Sequence, residues 1–109
     1  MKNLSVLLFM GFFGLTAYSQ STESATFEVA GNCGMCKTRI EEAAKTDGVT
    51  SAKWDLEEQT LTIVYNPEKV DLDDVHQKIA DAGHDTEKVR AKDETYNKLP
   101  ACCHYERIE

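Results

Sequence analysis

Hydrophobic and polar positions along the chain fall into a short series of patterned segments. In "TFEVAG", Phe27 and Val29 alternate with Thr26 and Glu28, the period-two signature of a half-buried strand. Gly31 and Asn32 interrupt it. From Cys36 to Lys45 the period changes to that of a helix, with Ile40, Ala43 and Ala44 on one face and charges opposite. Asp47-Gly48 supplies the stop. In "VTSAKWDLEEQTLTIVYNP", Ala52, Trp54 and Leu56 alternate, Glu57 to Gln59 turn, and Leu61, Ile63 and Tyr65 alternate again, which predicts a hairpin. Trp54 is expected in the core. Asp71 reads as an N-cap for a second helix lined by Leu72, Val75, Ile79 and Ala82 and ended by Gly83, with Asp74 favourable to the dipole. "HDTEKVRA" reads as a short, weak last strand, and His76, one place off the apolar stripe, as solvated surface.

The element order is β-α-β-β-α-β. It predicts an α+β domain of the ferredoxin-like kind over residues 24–90, a four-stranded antiparallel sheet with two helices on one face. Residues 91–109, "AKDETYNKLPACCHYERIE", form a C-terminal tail. Its Tyr96, Leu99 and Tyr105 make it too apolar for a plain linker.

Ahead of the domain, Lys2 precedes an apolar run from Leu4 to Leu15, and Ala17 and Ser19 follow as small residues two apart. Residues 1–19 are therefore expected to be a cleaved signal peptide rather than a membrane anchor, placing the chain in the periplasm or otherwise outside the cytoplasm. Of 12 basic and 19 acidic residues only Lys2 lies in that segment, leaving eleven basic against nineteen acidic, a net charge of −8. That balance disfavours nucleic acid and anionic membranes and suits a partner with a basic docking face.

The 4 cysteines sit as two close pairs, Cys33/Cys36 and Cys102/Cys103. Pairing within each would close only tiny loops and stabilise little, so the thiols point to chemistry rather than to a disulfide framework. Cys33 in the loop and Cys36 at the helix start face the same way across one turn. The unpaired N–H groups and positive pole of the helix favour thiolate there. Two thiolates suit a soft ion, Cu(I) first, with Hg(II), Cd(II) or Zn(II) as alternatives, although structural Zn(II) generally takes four ligands. The competing readings of CxxC are thiol–disulfide exchange, with Cys33 as nucleophile and Cys36 as resolving thiol, and a merely structural disulfide. The order of elements differs from that of a thioredoxin.

With "GNCGMC" at the first loop, "DGV" before the second strand, "VYNP" closing the third and "DAGH" ending the second helix, the chain resembles the heavy-metal-associated domain family over nearly all of residues 26–89. The resemblance implies a ferredoxin-like fold carrying a soft metal, usually Cu(I), between the two CxxC thiolates. It also implies a non-enzymatic carrier, chaperone or scavenger that exchanges metal with a metal-transporting or metal-receiving protein. The chain departs from the family in having Gly31 where a methionine usually packs under the loop. Met35, between the cysteines, either replaces that packing or stays exposed as a weak thioether ligand.

In this topology His84 arrives beside the metal loop, as a third ligand or as a surface residue at a helix end. The tail starts at the far pole. The 11 residues from Ala91 to Cys102 reach at most ~36–40 Å, enough to return along a domain whose radius of gyration is about 11 Å. Adjacent cysteines rarely join each other, so Cys102, Cys103 and His104 are candidate extra soft ligands. They could complete a three- or four-ligand pocket, build a small multi-copper cluster, or bridge a dimer through metal. The competing expectation is a disulfide to the core, or idle thiols.

Overall fold

A computed structural model of the chain describes residues 21–108, so the signal peptide expected over 1–19 lies outside the described residues. The strands are β1 (Glu23–Glu28), β2 (Val49–Asp55) and β3 (Thr60–Tyr65), in an antiparallel sheet of order β1-β3-β2. Its register brings the apolar positions into cross-strand rows: Phe27, Leu61 and Trp54 in one, Ala25, Ile63 and Ala52 in the next. The opposite face is polar, with Thr26 and Thr62 hydroxyls 2.9 Å apart.

Helix α1 (Gly34–Ala44) buries Cys36, Ile40 and Ala44, and α2 (Leu72–Asp81) buries Val75, His76, Ile79 and Ala80. The Asp71 carboxylate caps α2 by accepting the Asp73 N–H at 3.0 Å. Gly48 and Gly83 stop the segments before β2 and after α2 at φ of 100° and 110°, a left-handed conformation that glycine adopts without strain. A polar clip joins α1 to β2. Lys37 Nζ donates to Glu41 Oε2 at 2.7 Å and to the Trp54 carbonyl at 2.9 Å, and Trp54 N–H donates to the same carboxylate at 2.9 Å.

The sheet differs from the four-stranded expectation. Where a fourth strand was expected there is a single antiparallel bridge, Val29 with Thr86. The reason lies in Thr86. Its Oγ1 accepts the N–H groups of Lys88 and Val89 at 3.2 and 3.0 Å, and its own N–H donates to the Val89 carbonyl at 2.8 Å. The backbone turns on itself after one bridge. His76 likewise is not solvated: it is buried, its Nδ1 is 2.7 Å from Thr86 Oγ1 and its ring centroid is 4.0 Å from that of Phe27. Leu56, expected at the end of β2's inward row, lies exposed in the turn.

The tail is ordered around a short helix, α3 (Asp93–Asn97), and a 3-10 turn (Ala101–Cys103). Leu99 packs so closely over the end of α2 that a Cβ on Gly83 would come within 2.9 Å of it. Pro100 is extended (φ −57°, ψ 153°) and aims the chain at the first loop. Among the described residues no helix is long and apolar enough to cross a membrane.

Candidate metal centre

Cys33 is the N-cap of α1 and Cys36 its third residue, so the helix start fixes both sulfurs on one side, 3.5 Å apart. The space beneath the loop belongs to Trp54. A Cβ on Gly31 would meet Trp54 Cζ2 at 2.8 Å, and the indole N–H donates to the Val29 carbonyl at 2.9 Å. The indole therefore fills the room in which the family's methionine would pack. Met35 is half-exposed.

The tail returns to this loop. Cys103 is buried with its sulfur 3.4 Å from that of Cys33, and Cys102 is exposed with its sulfur 3.7 Å from Cys33 and 4.0 Å from Cys103. Asn32 Nδ2 donates to the Cys102 carbonyl at 3.3 Å. The sulfurs of Cys33, Cys36 and Cys103 all lie within 4.8 Å of one another. A trigonal ion with metal–sulfur bonds of about 2.3 Å has its sulfurs about 4.0 Å apart, and a linear one about 4.6 Å. The three sulfurs are thus already near the spacing of a shared three-coordinate ion. All four cysteines are free thiols.

Charge is concentrated on Cys33. The Cys36 backbone N–H, which faces it, and then the thiols of Cys103, Cys36 and Cys102 bring it from 9.0 down to about 6, against a smaller opposing effect of burial. Burial first, then the Cys103 thiol, pushes Cys36 up to about 12. Cys102 is raised to about 11, first by its contact with Cys33 and then by burial. Of these three, Cys33 is the one that favours the thiolate, while Cys36 and Cys102 favour the thiol. Arg39 Nη1 donates to Cys103 Sγ at 3.3 Å and brings a cation to the buried side.

The two histidines behave differently from the cysteines. His84 is buried outside the three-sulfur set, with Nδ1 2.9 Å from the Ala30 carbonyl and its ring stacked on Tyr105 at 5.3 Å. Because a carbonyl only accepts, Nδ1 carries the proton and Nε2 keeps a lone pair. Among the described residues Nε2 has no hydrogen-bond partner. Burial, above all, holds His84 below the usual histidine range. His104 is turned away: Nε2 donates to the Leu99 carbonyl at 3.0 Å and the ring stacks on Tyr96.

What holds the tail here is a clasp that sequence reading did not find. Asp85 is fully buried and takes both fork nitrogens of Arg107 at 2.9 Å, the Ala91 N–H at 2.8 Å and the Ile108 N–H at 3.1 Å. Tyr105 donates its hydroxyl to the Gly83 carbonyl at 2.7 Å and accepts the Asp85 N–H at 2.9 Å. The Arg107 guanidinium also lies 4.5 Å over the Tyr96 ring. Arg39 carried a signal of its own: it stands one helical turn after Cys36, on the same face. Asp85 and Arg107, 22 residues apart, carried none.

The arrangement defines a small α+β domain built around converging thiols at a helix mouth. The chain belongs to the heavy-metal-associated domain family, whose profile matches residues 26–85. A "Copper chaperone CopZ" from Staphylococcus aureus is 38% identical over 55 residues, 50% of this chain and 81% of that protein. A "Copper-exporting P-type ATPase" from Staphylococcus saprophyticus is 36% identical over 74 residues, 66% of this chain; the chain spans only 9% of that protein's length. Among solved structures, one titled "CopZ metallochaperone" superimposes with a TM-score of 0.57 at 35% identity, covering 59% of this chain and 98% of that one. The tail from residue 91 onward lies beyond the matched residues 26–85.

Proposed function

We propose that this protein is a non-enzymatic carrier of a soft metal ion, Cu(I) first, held by Cys33 and Cys36 at the helix mouth and closed by Cys103 from the tail. The observation that carries the reading is the convergence of those three sulfurs within 4.8 Å where the tail meets the start of α1, with Cys33 alone of the three partly exposed. Thiolates select soft ions, and the names of the copper chaperones and copper-exporting ATPases among the relatives favour copper within that class. Hg(II) and Cd(II) compete by softness; Zn(II) would want a fourth ligand. Cys33, lowered to about 6, is the ligand that captures; Cys36, raised to about 12, gives up its proton as the ion arrives, and Cys103 closes the site. Release follows by ligand exchange, an incoming thiolate of a metal-receiving protein or transporter displacing Cys103 first. The pattern of residues 1–19 supports work outside the cytoplasm, to be checked by N-terminal sequencing of the fractionated protein.

The test is a titration of the reduced protein with Cu(I) against a coloured chelator. Stoichiometric capture by the wild type that is lost in Cys33→Ser supports the carrier. The second reading, thiol–disulfide exchange, is favoured by the contrast between Cys33 at about 6 and Cys36 at about 12. Rapid insulin reduction without competition for Cu(I) would establish it in place of the first.

A further inference from the structure

The four thiols form two triangles that share an edge. The inner one is Cys33, Cys36 and Cys103, with Cys33 3.5 Å from Cys36 and 3.4 Å from Cys103. The outer one is Cys33, Cys102 and Cys103, with sides of 3.7, 4.0 and 3.4 Å. Cys102 stands outside the set whose sulfurs are all within 4.8 Å of one another. A single tetrahedral ion would need all six sulfur–sulfur edges near about 3.8 Å for bonds of about 2.3 Å. Here the Cys36–Cys102 edge fails, so the sulfurs make a hinged pair of triangles rather than a tetrahedron.

We propose that the cluster takes two monovalent thiophilic ions of the Cu(I) class, one in each triangle, with the Cys33 and Cys103 sulfurs bridging them. This rests on the carrier reading above and adds a second, outer site to it. Three features of the outer triangle support a ligand of its own. Met35 Sδ lies 3.7 Å from Cys102 Sγ, placing a fifth soft donor beside the outer triangle. Cys102 is exposed, so the outer ion is the one that solvent and a receiving thiol reach first. The inner triangle is completed without Cys102. Divalent zinc is disfavoured in both triangles, since two such ions would need more ligands than four thiols supply. Two monovalent ions on four thiolates leave two negative charges, and the Arg39 guanidinium on Cys103 offsets one of them at the shared edge. No electron moves: Cys33 binds as the thiolate it already is, the protons still held by the other ligating thiols pass to water, and the ions keep their oxidation state.

The test is native mass spectrometry of the reduced full chain loaded stepwise with Cu(I) from its acetonitrile complex. Emission from the Cu(I)–thiolate cluster is followed in parallel. Expected are two ions per monomer in the wild type and one in Cys102→Ser, an exposed substitution, with the emission that accompanies the second equivalent lost in the variant. One ion in the wild type, two in Cys102→Ser, or a second ion found only in dimers overturns the two-ion cluster and leaves the carrier standing. No capture by the wild type overturns the carrier itself, and the cluster with it.

Discussion

At residue 31 the structure allows no side chain at all. An alanine there places a methyl carbon 2.8 Å from the Trp54 ring and 3.1 Å from Ile40 Cδ1, and both neighbours are buried. Gly31→Ala is therefore expected to lower unfolding free energy by about 1–3 kcal/mol, and Gly31→Met by more, read as a shift in the denaturant midpoint. An unchanged midpoint for the methionine variant would mean that the indole swings aside and that the glycine was not required. Cys33 makes a second prediction at this scale. Since its thiol is lowered to about 6 while Cys36 and Cys102 lie near 12 and 11, it should be the first of these three alkylated by iodoacetamide in the reduced, metal-free protein. Its rate, followed by peptide mass mapping, should fall to about half at pH 6, about fivefold further by pH 5 and about tenfold for each unit below that. Modification appearing first at Cys36 or Cys102 would show that the cluster's charge resides elsewhere.

Among the elements, the tail depends most on one buried group. Burial raises the Asp85 carboxyl, but the Arg107 fork and the Ala91 and Ile108 N–H groups more than offset it and hold it below its ordinary 3.8. The folded carboxylate thus stays charged at lower pH than the unfolded one. The stability it adds is complete above about pH 5 and is lost as pH falls through 3.8 toward the folded value. Urea midpoints at pH 7, 5 and 3.5 should show that loss in the wild type and a flatter profile in Asp85→Asn. Arg107→Met, which leaves the buried carboxylate with backbone N–H donors and a half-exposed Arg90 4.0 Å away, should cost about 3 kcal/mol at neutral pH. It should also weaken Cu(I) retention, because Cys103 is delivered by the same segment. A variant that keeps full metal affinity after losing the clasp would separate the two.

The elements also show what the sequence could and could not disclose. Helices α1 and α2, the hairpin and the Asp71 cap were legible because their causes are local: a period, a turn residue, a capping carboxylate. The CxxC mouth was legible for the same reason. The fourth strand, read as short and weak, does not extend because the hydroxyl of Thr86 closes a turn that no pattern announces. His76 stood beside an apolar stripe, and only its tertiary partners, Thr86 and Phe27, explain its burial. That the tail could reach the loop followed from chain length. What would hold it there did not, because Tyr105 meets Gly83 across 22 residues and Arg107 meets Asp85 across the same number.

For the whole molecule the governing quantity is charge. Apart from residues 1–19, eleven basic residues face nineteen acidic ones, and the thiol cluster adds further negative charge when it holds metal. A field of one sign raises the encounter rate with the opposite sign and penalises its own, without changing what happens once the partners touch. The exchange step proposed above, an incoming thiolate replacing Cys103, would be short-range and nearly insensitive to salt. Two synthetic CxxC acceptors that differ only in flanking lysines or glutamates isolate the long-range part. At low ionic strength the Cu(I)-loaded protein should transfer to the cationic peptide about tenfold or more faster than to the anionic one, and the gap should close as salt shortens the screening length to about 3 Å near 1 M. Transfer followed by the acceptor's thiolate-to-Cu(I) absorbance gives both rates. If the two peptides are served equally at low salt, partner choice rests on the loop and the tail around Cys33 rather than on the acidic surface.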